Sequence, residues 1–218
     1  YSPDAAIDRA LAGYAGRPFV LADTQDNPGA GGASDTVGLL EALVRNRADR
    51  AVLAMLYDPP AALAAHNAGV GSSLNLSLGA SSGQPGHQPL QLEVRVDALS
   101  NGEFIGTGPM SIGARFRMGP TAVLARGGVR VIVTSAITQA KDQAMLRHIG
   151  IDPTVERIVA LKSSVHFRAD FQAMAEEVLV VESPGPNVAN HLNMDYRHLR
   201  EGLLLTPDGP AYHAPARG

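Results

Sequence analysis

Residues 17–36 constrain the fold of this chain more than any other stretch. An apolar run at residues 18–22 has the length and flanks of a short buried strand. The chain then turns polar at residues 23–27 and becomes rich in glycine. Ser34 and Asp35, favourable N-cap residues, precede an apolar helical pattern. Ligands bind α/β folds where a strand ends and a helix begins, but an ordinary βα turn has the same composition, so both interpretations stay open.

The remaining sequence predicts an α/β fold with a mixed sheet. An apolar run at residues 51–56 follows the helix, which completes a βαβ unit with two parallel strands. Residues 73–125 instead show short, often alternating strands separated by glycines, typical of an antiparallel meander. Apolar runs at residues 129–133, 157–161 and 178–181 return to the parallel type. We therefore predict parallel βαβ units with an inserted antiparallel meander.

Composition excludes several classes of function. The formal net charge is −3 and no basic cluster occurs, which argues against nucleic acid as a partner. The absence of cysteine excludes disulfides, thiolate metal sites and a cysteine nucleophile. No apolar run approaches the ~20 residues that a membrane helix needs, so we expect no membrane contact. A cytoplasmic location is compatible with the cysteine-free composition, and it is the one we expect.

Polar clusters follow several of the predicted strands. They lie at residues 23–27, at Asp58, at residues 134–139 and at residues 162–166. Because the exits of parallel strands share one edge of a sheet, we expect at least two clusters to converge on one pocket. The alternative is four unrelated loops. For Asp58 a role as a helix N-cap is favoured over a role in a site.

The first and last of these clusters contain charged candidates. Asp23 and Asp26 are paired carboxylates that could ligate a hard metal, act as a base or hold a substrate amine. Capping of the loop by an Asx-turn is the alternative for Asp26. Lys162 could hold a substrate carboxylate or a phosphate, and the alternative is a salt bridge to an aspartate such as Asp23.

The last cluster also contains His166 and two serines. His166 is a candidate general acid or substrate contact, and the alternative is a packed or surface histidine. Ser163 and Ser164 precede a predicted helix at residues 166–176, so one of them should be its N-cap. Neither lies in a G-x-S-x-G elbow, which argues against a nucleophilic serine.

The histidines predict no metal site in this chain. None of the seven forms an H-E-x-x-H or similar ligand pair. His191 and His198 are seven positions apart in an asparagine-rich segment, which is a weak signal.

Three segments carry a family resemblance. Residues 22–36 read ADTQDNPGAGGASDT, residues 134–139 read TSAITQ, and residues 162–167 read KSSVHF. In this order they resemble the signature loop, the TSxxTQ motif and the KSSxHF motif of the microcystinase C family, the MlrC-like metallopeptidases. The resemblance is to the C-terminal domain of that family, and it extends over about residues 17–184.

The resemblance implies that this chain is the second part of a longer, zinc-dependent peptide or amide hydrolase. The zinc ligands of such enzymes lie in an N-terminal domain outside this chain, so no metal is expected here. We expect residues 1–16 to form a linker helix from that domain, residues 17–184 the α/β domain, and residues 185–218 an irregular tail. The expected partners are the chain's own N-terminal metallopeptidase domain and a small peptide or amide substrate.

In this interpretation the domain lines the substrate cleft. Catalytic roles are expected for Asp23 and His166. Contacts with the substrate are expected from Asp26, Asn27, Gly31, Gly32, Thr138, Gln139, Lys162, Ser163 and Ser164.

Two other functions stay open on the sequence. The glycine-rich loop before a helix would suit an enzyme domain that binds phosphate or nucleotides, although the lysine of a G-x-x-x-x-G-K-[ST] loop is absent. The domain could also be a non-catalytic interaction module, for example one that forms a homodimer.

Overall fold

The structure, a computed structural model, describes residues 1–83 and 87–213. The strands are β1 (Phe19–Asp23), β2 (Ala51–Tyr57), β3 (Ser73–Leu78), β4 (Leu90–Ser100), β5 (Glu103–Ile105), β6 (Arg115–Arg117), β7 (Thr121–Arg126), β8 (Val129–Thr134), β9 (Ile158–Leu161) and β10 (Glu177–Val181). The helices are α1 (Pro3–Gly13), α2 (Gly38–Arg45), α3 (Pro59–Ala68), α4 (Ala144–Arg147) and α5 (Arg168–Phe171).

Eight strands form one mixed sheet in the order β10-β1-β9-β2-β8-β7-β4-β3. The five strands from β10 to β8 are parallel, and β7, β4 and β3 continue the sheet in antiparallel fashion. The predicted α/β class with a mixed sheet is therefore confirmed. β1 and β2 are parallel as predicted, but β9 lies between them and pairs with both. β5 and β6 form a separate two-stranded sheet.

Both faces of the parallel strands are covered. One hydrophobic cluster packs Leu21 and Leu53 against residues of α1, α2 and α3. The other packs Val20 and Val52 against residues of α4 and α5. Residues of β1 alternate between the two clusters, which is why the strand reads as a continuous apolar run. Asp23 follows the apolar residues as the last residue of β1.

The helices begin and end differently from the sequence pattern in two places. α2 begins at Gly38 after Val37, which makes no side-chain cap, so the expected N-cap role of Ser34 and Asp35 is wrong. Ser34 instead has a positive φ of 62° and lies in the loop before the helix. The helix predicted at residues 166–176 is regular only over α5, and turns of i→i+3 hydrogen bonds follow it.

One carboxylate holds the loop that connects β5 and β6. Asp142 accepts hydrogen bonds from the backbone N–H groups of Thr107 and Gly108, at 3.0 and 2.9 Å, and from the Ser111 hydroxyl at 2.6 Å. Burial would raise the pKa of Asp142, but these donors and the Ala144 N–H together hold it below its ordinary value. The loop between the two strands is thus tied to the segment that precedes α4.

The chain divides into two compact units, Tyr1–Asn187 and Val188–Gly218. In the first unit, Ser2 caps α1, and Ile7 of this helix is fully buried. The second unit contains a short 3₁₀ helix, His191–Asn193, and an isolated bridge between Leu204 and Ala211. Residues 214–218 of the predicted tail lie outside the described residues. The proposed roles of linker, domain and tail stay predictions.

Across residues 1–83 and 87–213, no helix has the length and apolar character needed to cross a membrane.

His148 is expected to make the stability of the fold depend on pH. Its ring stacks on Phe104 with 4.7 Å between centroids, and its nitrogens are buried without a well-formed hydrogen bond to any described residue. Burial lowers the pKa of His148, so the unfolded chain binds a proton more readily than the folded one. The free energy of unfolding should therefore decrease as the pH falls below about 6.5, the ordinary pKa of histidine.

The His148→Phe variant tests this expectation because it keeps the stacking and removes the titration. Relative to the wild type it should gain stability between about pH 7.5 and pH 5.5, by at most about 1.4 kcal/mol per pH unit. Urea denaturation at several pH values measures the difference. The exposed His198 provides a control as His198→Phe, which removes another histidine and leaves the stack of His148 on Phe104 in place. Parallel pH profiles for His148→Phe and the wild type would contradict the expectation.

Candidate functional site

The loop after β1 turns back on itself immediately beyond the strand. Asn27 caps a short 3₁₀ helix, Pro28–Ala30, through a 2.9 Å hydrogen bond from the Gly29 N–H to its side-chain oxygen. Gly31 ends this helix with a φ of 90°, which favours glycine. A Cβ at Gly32 would lie 2.8 Å from the carbonyl carbon of Asp26, so this glycine allows the loop to fold against its own start.

A fully buried group of charges lies beneath the loop. The Lys162 ammonium donates to Asp23 Oδ2 at 3.0 Å, to Asp26 Oδ2 at 2.8 Å and to the Thr36 hydroxyl at 2.9 Å. The side chains of Asp23, Asp26 and Lys162 are 0% exposed. We call these four residues the buried cluster. They join the exit of β1, the end of the segment before α2 and the exit of β9.

The two carboxylates of the buried cluster differ in their electrostatics. Burial raises the pKa of Asp23, because the effect of desolvation outweighs the attraction of the Lys162 ammonium. Burial acts in the same direction on Asp26, but Lys162 and the N–H groups of Thr36 and Ser34 lower its pKa below the ordinary value. The pKa of Lys162 is raised, since the two aspartates outweigh its desolvation. We therefore assign the stable ion pair to Lys162 and Asp26.

The Asp26 carboxylate also accepts backbone N–H groups of the glycine-rich loop, as a bound anion would. Its two oxygens accept the backbone N–H groups of Ser34 and Thr36, each at 2.8 Å. Other N–H groups of the loop are bound to its own acceptors, namely those of Gly29, Ala30, Gly31 and Gly32. A phosphate would have to displace these bonds and lie close to a buried carboxylate. This geometry counts against the phosphate-binding alternative.

A second set of polar side chains continues from the buried cluster to the surface. Asn27 donates from Nδ2 to the Ser164 hydroxyl at 2.9 Å, and its Oδ1 accepts from Gln139 Nε2 at 2.8 Å. Gln139 Oε1 lies 2.9 Å from His166 Nδ1. Asn27 is 5% exposed, Ser164 and Gln139 are half-buried, and His166 is exposed. We call these four residues the rim network.

Three of the four predicted clusters therefore converge. Direct hydrogen bonds join residues 23–27, Gln139 and residues 162–166. Asp58 contributes to a different structure: it caps α3 through the Ala61 N–H and accepts the N–H of Gly79. Its predicted N-cap role is thus confirmed.

The remaining candidates lie within or beside these groups. The Ser163 hydroxyl is buried and lies 3.3 Å from Gln139 Nε2. Thr138 donates from its hydroxyl to the carbonyl of Ala136 at 3.2 Å, and Gly31 is exposed at the tip of the loop. Asp23 and Lys162 have no exposed surface in this domain, so direct contact with a substrate would require the loop to move. The predicted roles of all these residues in catalysis or binding stay predictions.

Two members of the site were not expected from the sequence. Thr36 donates its hydroxyl to Asp26 at 3.0 Å, and the Ser34 hydroxyl donates to the Met55 carbonyl at 2.7 Å. Both precede an apolar helical pattern, where serine and threonine commonly act as caps. A signal was available in the two closely spaced aspartates, because a buried carboxylate needs several donors nearby.

The side chains of this domain do not fit a zinc ion on their own. No group of three or more histidine, aspartate or glutamate side chains that could hold a metal occurs in the described part of the chain. The paired carboxylates, Asp23 and Asp26, already have the Lys162 ammonium in the position that a cation would take.

Fold and site together define a class: a doubly wound α/β domain whose first strand leads into a loop held by a buried lysine. The family model described as the MlrC C-terminus matches residues 21–198, and the chain belongs to this family. Microcystinase C from Sphingomonas sp. is 27% identical over 191 residues, which are 88% of this chain and 36% of that protein.

The fold is also found in a solved structure. The crystal structure of a "Putative metallopeptidase" from Mesorhizobium sp. BNC1 superimposes with a TM-score of 0.78 at 23% identity. The match covers 91% of this chain and 40% of that one. The chain thus spans less than half the length of both relatives.

Proposed function

We propose that this chain is the part of a zinc-dependent peptide or amide hydrolase that lines the substrate cleft, beside an N-terminal domain that carries the metal. Membership of the MlrC C-terminal family supports the link to peptidases. The names of the two relatives, and the small share of their length that the chain spans, support a partner domain. We further propose a cytoplasmic location, in keeping with the absence of cysteine.

The rim network is the observation that carries this proposal. Three loops that are distant in sequence meet at the carboxyl edge of the parallel strands, where α/β folds bind ligands. Its exposed end is His166, an imidazole that can contact a substrate or transfer a proton. The exposed side chains of Ile137 and Val165 lie on the same segments and would suit apolar parts of a peptide.

In this proposal the two groups of residues have different roles. The rim network, together with Gly31 and Thr138, faces and orients the substrate, and the buried Gly32 and Ser163 support these residues from behind. The buried cluster holds the loop in place, and Asp23 affects turnover through the negative charge that it places beside Lys162, which asparagine would remove. A zinc ion bound by the N-terminal domain would supply the polarisation of the amide carbonyl and an activated water.

Turnover of the full-length protein on a peptide or amide substrate tests the proposal. His166→Ala should lower kcat/KM at least tenfold, about 1.4 kcal/mol of transition-state stabilisation, with an unchanged melting temperature. Asp23→Asn should also lower turnover at least tenfold. His198→Ala is the control, since it removes another exposed histidine. Normal turnover of both His166→Ala and Asp23→Asn would contradict a role of this domain in the cleft.

A further inference from the structure

The hydrogen bonds of the rim network determine which atoms are donors. A backbone N–H can only donate, so the atom of Asn27 that lies 2.9 Å from the Gly29 nitrogen must be its oxygen. Gln139 approaches the same oxygen at 2.8 Å and must present its NH₂ group there. The opposite atom of the Gln139 amide is therefore an oxygen, and this oxygen faces His166 at 2.9 Å.

We propose that Gln139 is a positioning residue, which holds the neutral imidazole of His166 in the tautomer with the proton on Nδ1. The Gln139 oxygen can only accept, so Nδ1 must donate to it. Nε2 is then unprotonated and is available as an acceptor on the exposed side chain. A peptide or amide substrate would offer it an N–H group. The contact between Nε2 and a substrate rests on the proposed function, whereas the tautomer of His166 rests on the geometry alone.

The close packing around Gln139 fixes the orientation of its side-chain amide. A Cβ at Gly29 would lie 2.6 Å from Gln139 Nε2, so only glycine leaves room for the amide at this position. The second N–H of Gln139 points to the Ser163 hydroxyl at 3.3 Å. Both ends of the amide are thus engaged, and the side chain has one orientation that satisfies all its neighbours. The metal-binding and catalytic histidines of other proteins are commonly oriented by such an acceptor at their second nitrogen.

Nitrogen-15 NMR of the histidine side chains in this 218-residue chain tests the proposal directly. The spectra are recorded over a pH series that extends to the plateau at which the ring nitrogen shifts no longer change, and the plateau gives the spectrum of the neutral ring. We expect a protonated, pyrrole-type Nδ1 and an unprotonated, pyridine-type Nε2 for His166. Gln139→Met, which keeps the length and removes the acceptor, should shift the population towards the Nε2–H form. Thr138→Val is the matched control, because Thr138 bonds only to Ala136 among the described residues, and it should leave the tautomer unchanged.

Either of two results would overturn the proposal: an Nε2–H tautomer in the wild type, or an unchanged tautomer in Gln139→Met. The wild-type spectrum alone decides the first, even if the variant does not fold. Turnover of the full-length protein separates this proposal from the proposed function. If the wild type has the predicted tautomer, Gln139→Met should lower kcat several-fold. Normal turnover in both Gln139→Met and His166→Ala would contradict the role of this domain in the cleft. The tautomer of His166 would still stand in that case, because the spectra establish it independently.

Discussion

Lys162→Met is expected to destabilise the fold by about 3–5 kcal/mol, the usual cost of removing one partner of a buried ion pair. Methionine is similar in length to lysine and keeps the packing. The carboxylates of Asp23 and Asp26, which lie 3.0 and 2.8 Å from the ammonium, would lose the cation that faces them. Urea denaturation near neutral pH, followed by circular dichroism, measures the loss.

The chain contains a matched control for this substitution. Its other lysine, Lys141, is half-buried, and its Nζ lies 5.6 Å from the centroid of the Phe116 ring. Lys141→Met should cost only the cation–π contact, about 0.5–1 kcal/mol. If Lys162→Met costs no more than Lys141→Met, the carboxylates of the buried cluster do not depend on the ammonium, and the assigned ion pair is wrong.

The effect of Lys162→Met should also depend on pH. In the wild type the pKa of Asp26 is lowered, so this group stabilises the fold above its unfolded pKa of about 3.9, and that contribution is lost as the pH falls through the folded value. In the variant the buried carboxylates have no cation and take up protons more readily. The difference in stability between the two proteins should therefore narrow from about pH 7 to about pH 4.

The second large effect is expected for Asp26→Asn, at about 3 kcal/mol. Both oxygens of Asp26 accept bonds, one from the Ser34 N–H and the other from the Thr36 N–H, the Thr36 hydroxyl and Lys162. An amide would place its NH₂ group against one of these donors, and it would leave Lys162 without its stable ion-pair partner. The same denaturation experiment measures the loss.

Asp23→Asn is the isosteric control, and it should cost about 1 kcal/mol or less. Oδ1 of Asp23 has no hydrogen-bond partner among the described residues, so the NH₂ group can occupy that position while the amide oxygen keeps its contact with Lys162. The raised pKa of Asp23 indicates that its charge is the less favourable of the two. Equal losses in Asp23→Asn and Asp26→Asn would contradict the assignment of different roles to these carboxylates.

Much of the fold could be predicted from the sequence because its strands are buried on one or both faces. A continuous apolar run such as that of β1 must be covered by other elements on both faces. The alternation of polar and apolar residues in β3 indicates a strand with one face exposed to solvent. The order of the strands could not be predicted in this way. Apolar periodicity indicates that a strand is buried but not which strand lies beside it, so the position of β9 between β1 and β2 was not foreseen.

The convergence of the polar clusters was predictable for a geometric reason. The hydrogen bonds and ion pairs between their side chains were not predictable. Parallel strands end at one edge, which brings Asp23, Gln139 and Lys162 near each other. The same residue types suit a binding site and a buried ion pair, and the sequence patterns of the two are alike. The donors to Asp26 were missed because Ser34 and Thr36 precede a helix, where a capping role is usual.

The strand order of the sheet also has a consequence for how the domain is made. The antiparallel strands β3, β4 and β7 pair with partners that are close in the chain, whereas the bond between Lys162 and Asp23 joins residues 139 positions apart. Pairings between distant residues form slowly, since long loops must close first. During synthesis β1 emerges before β9 and β10, and it has no partner in the sheet until these two strands have followed it. The loop that contains the candidate site should therefore be among the last parts of the domain to acquire its native structure, and the early apolar strand is the segment that nascent-chain chaperones would need to shield.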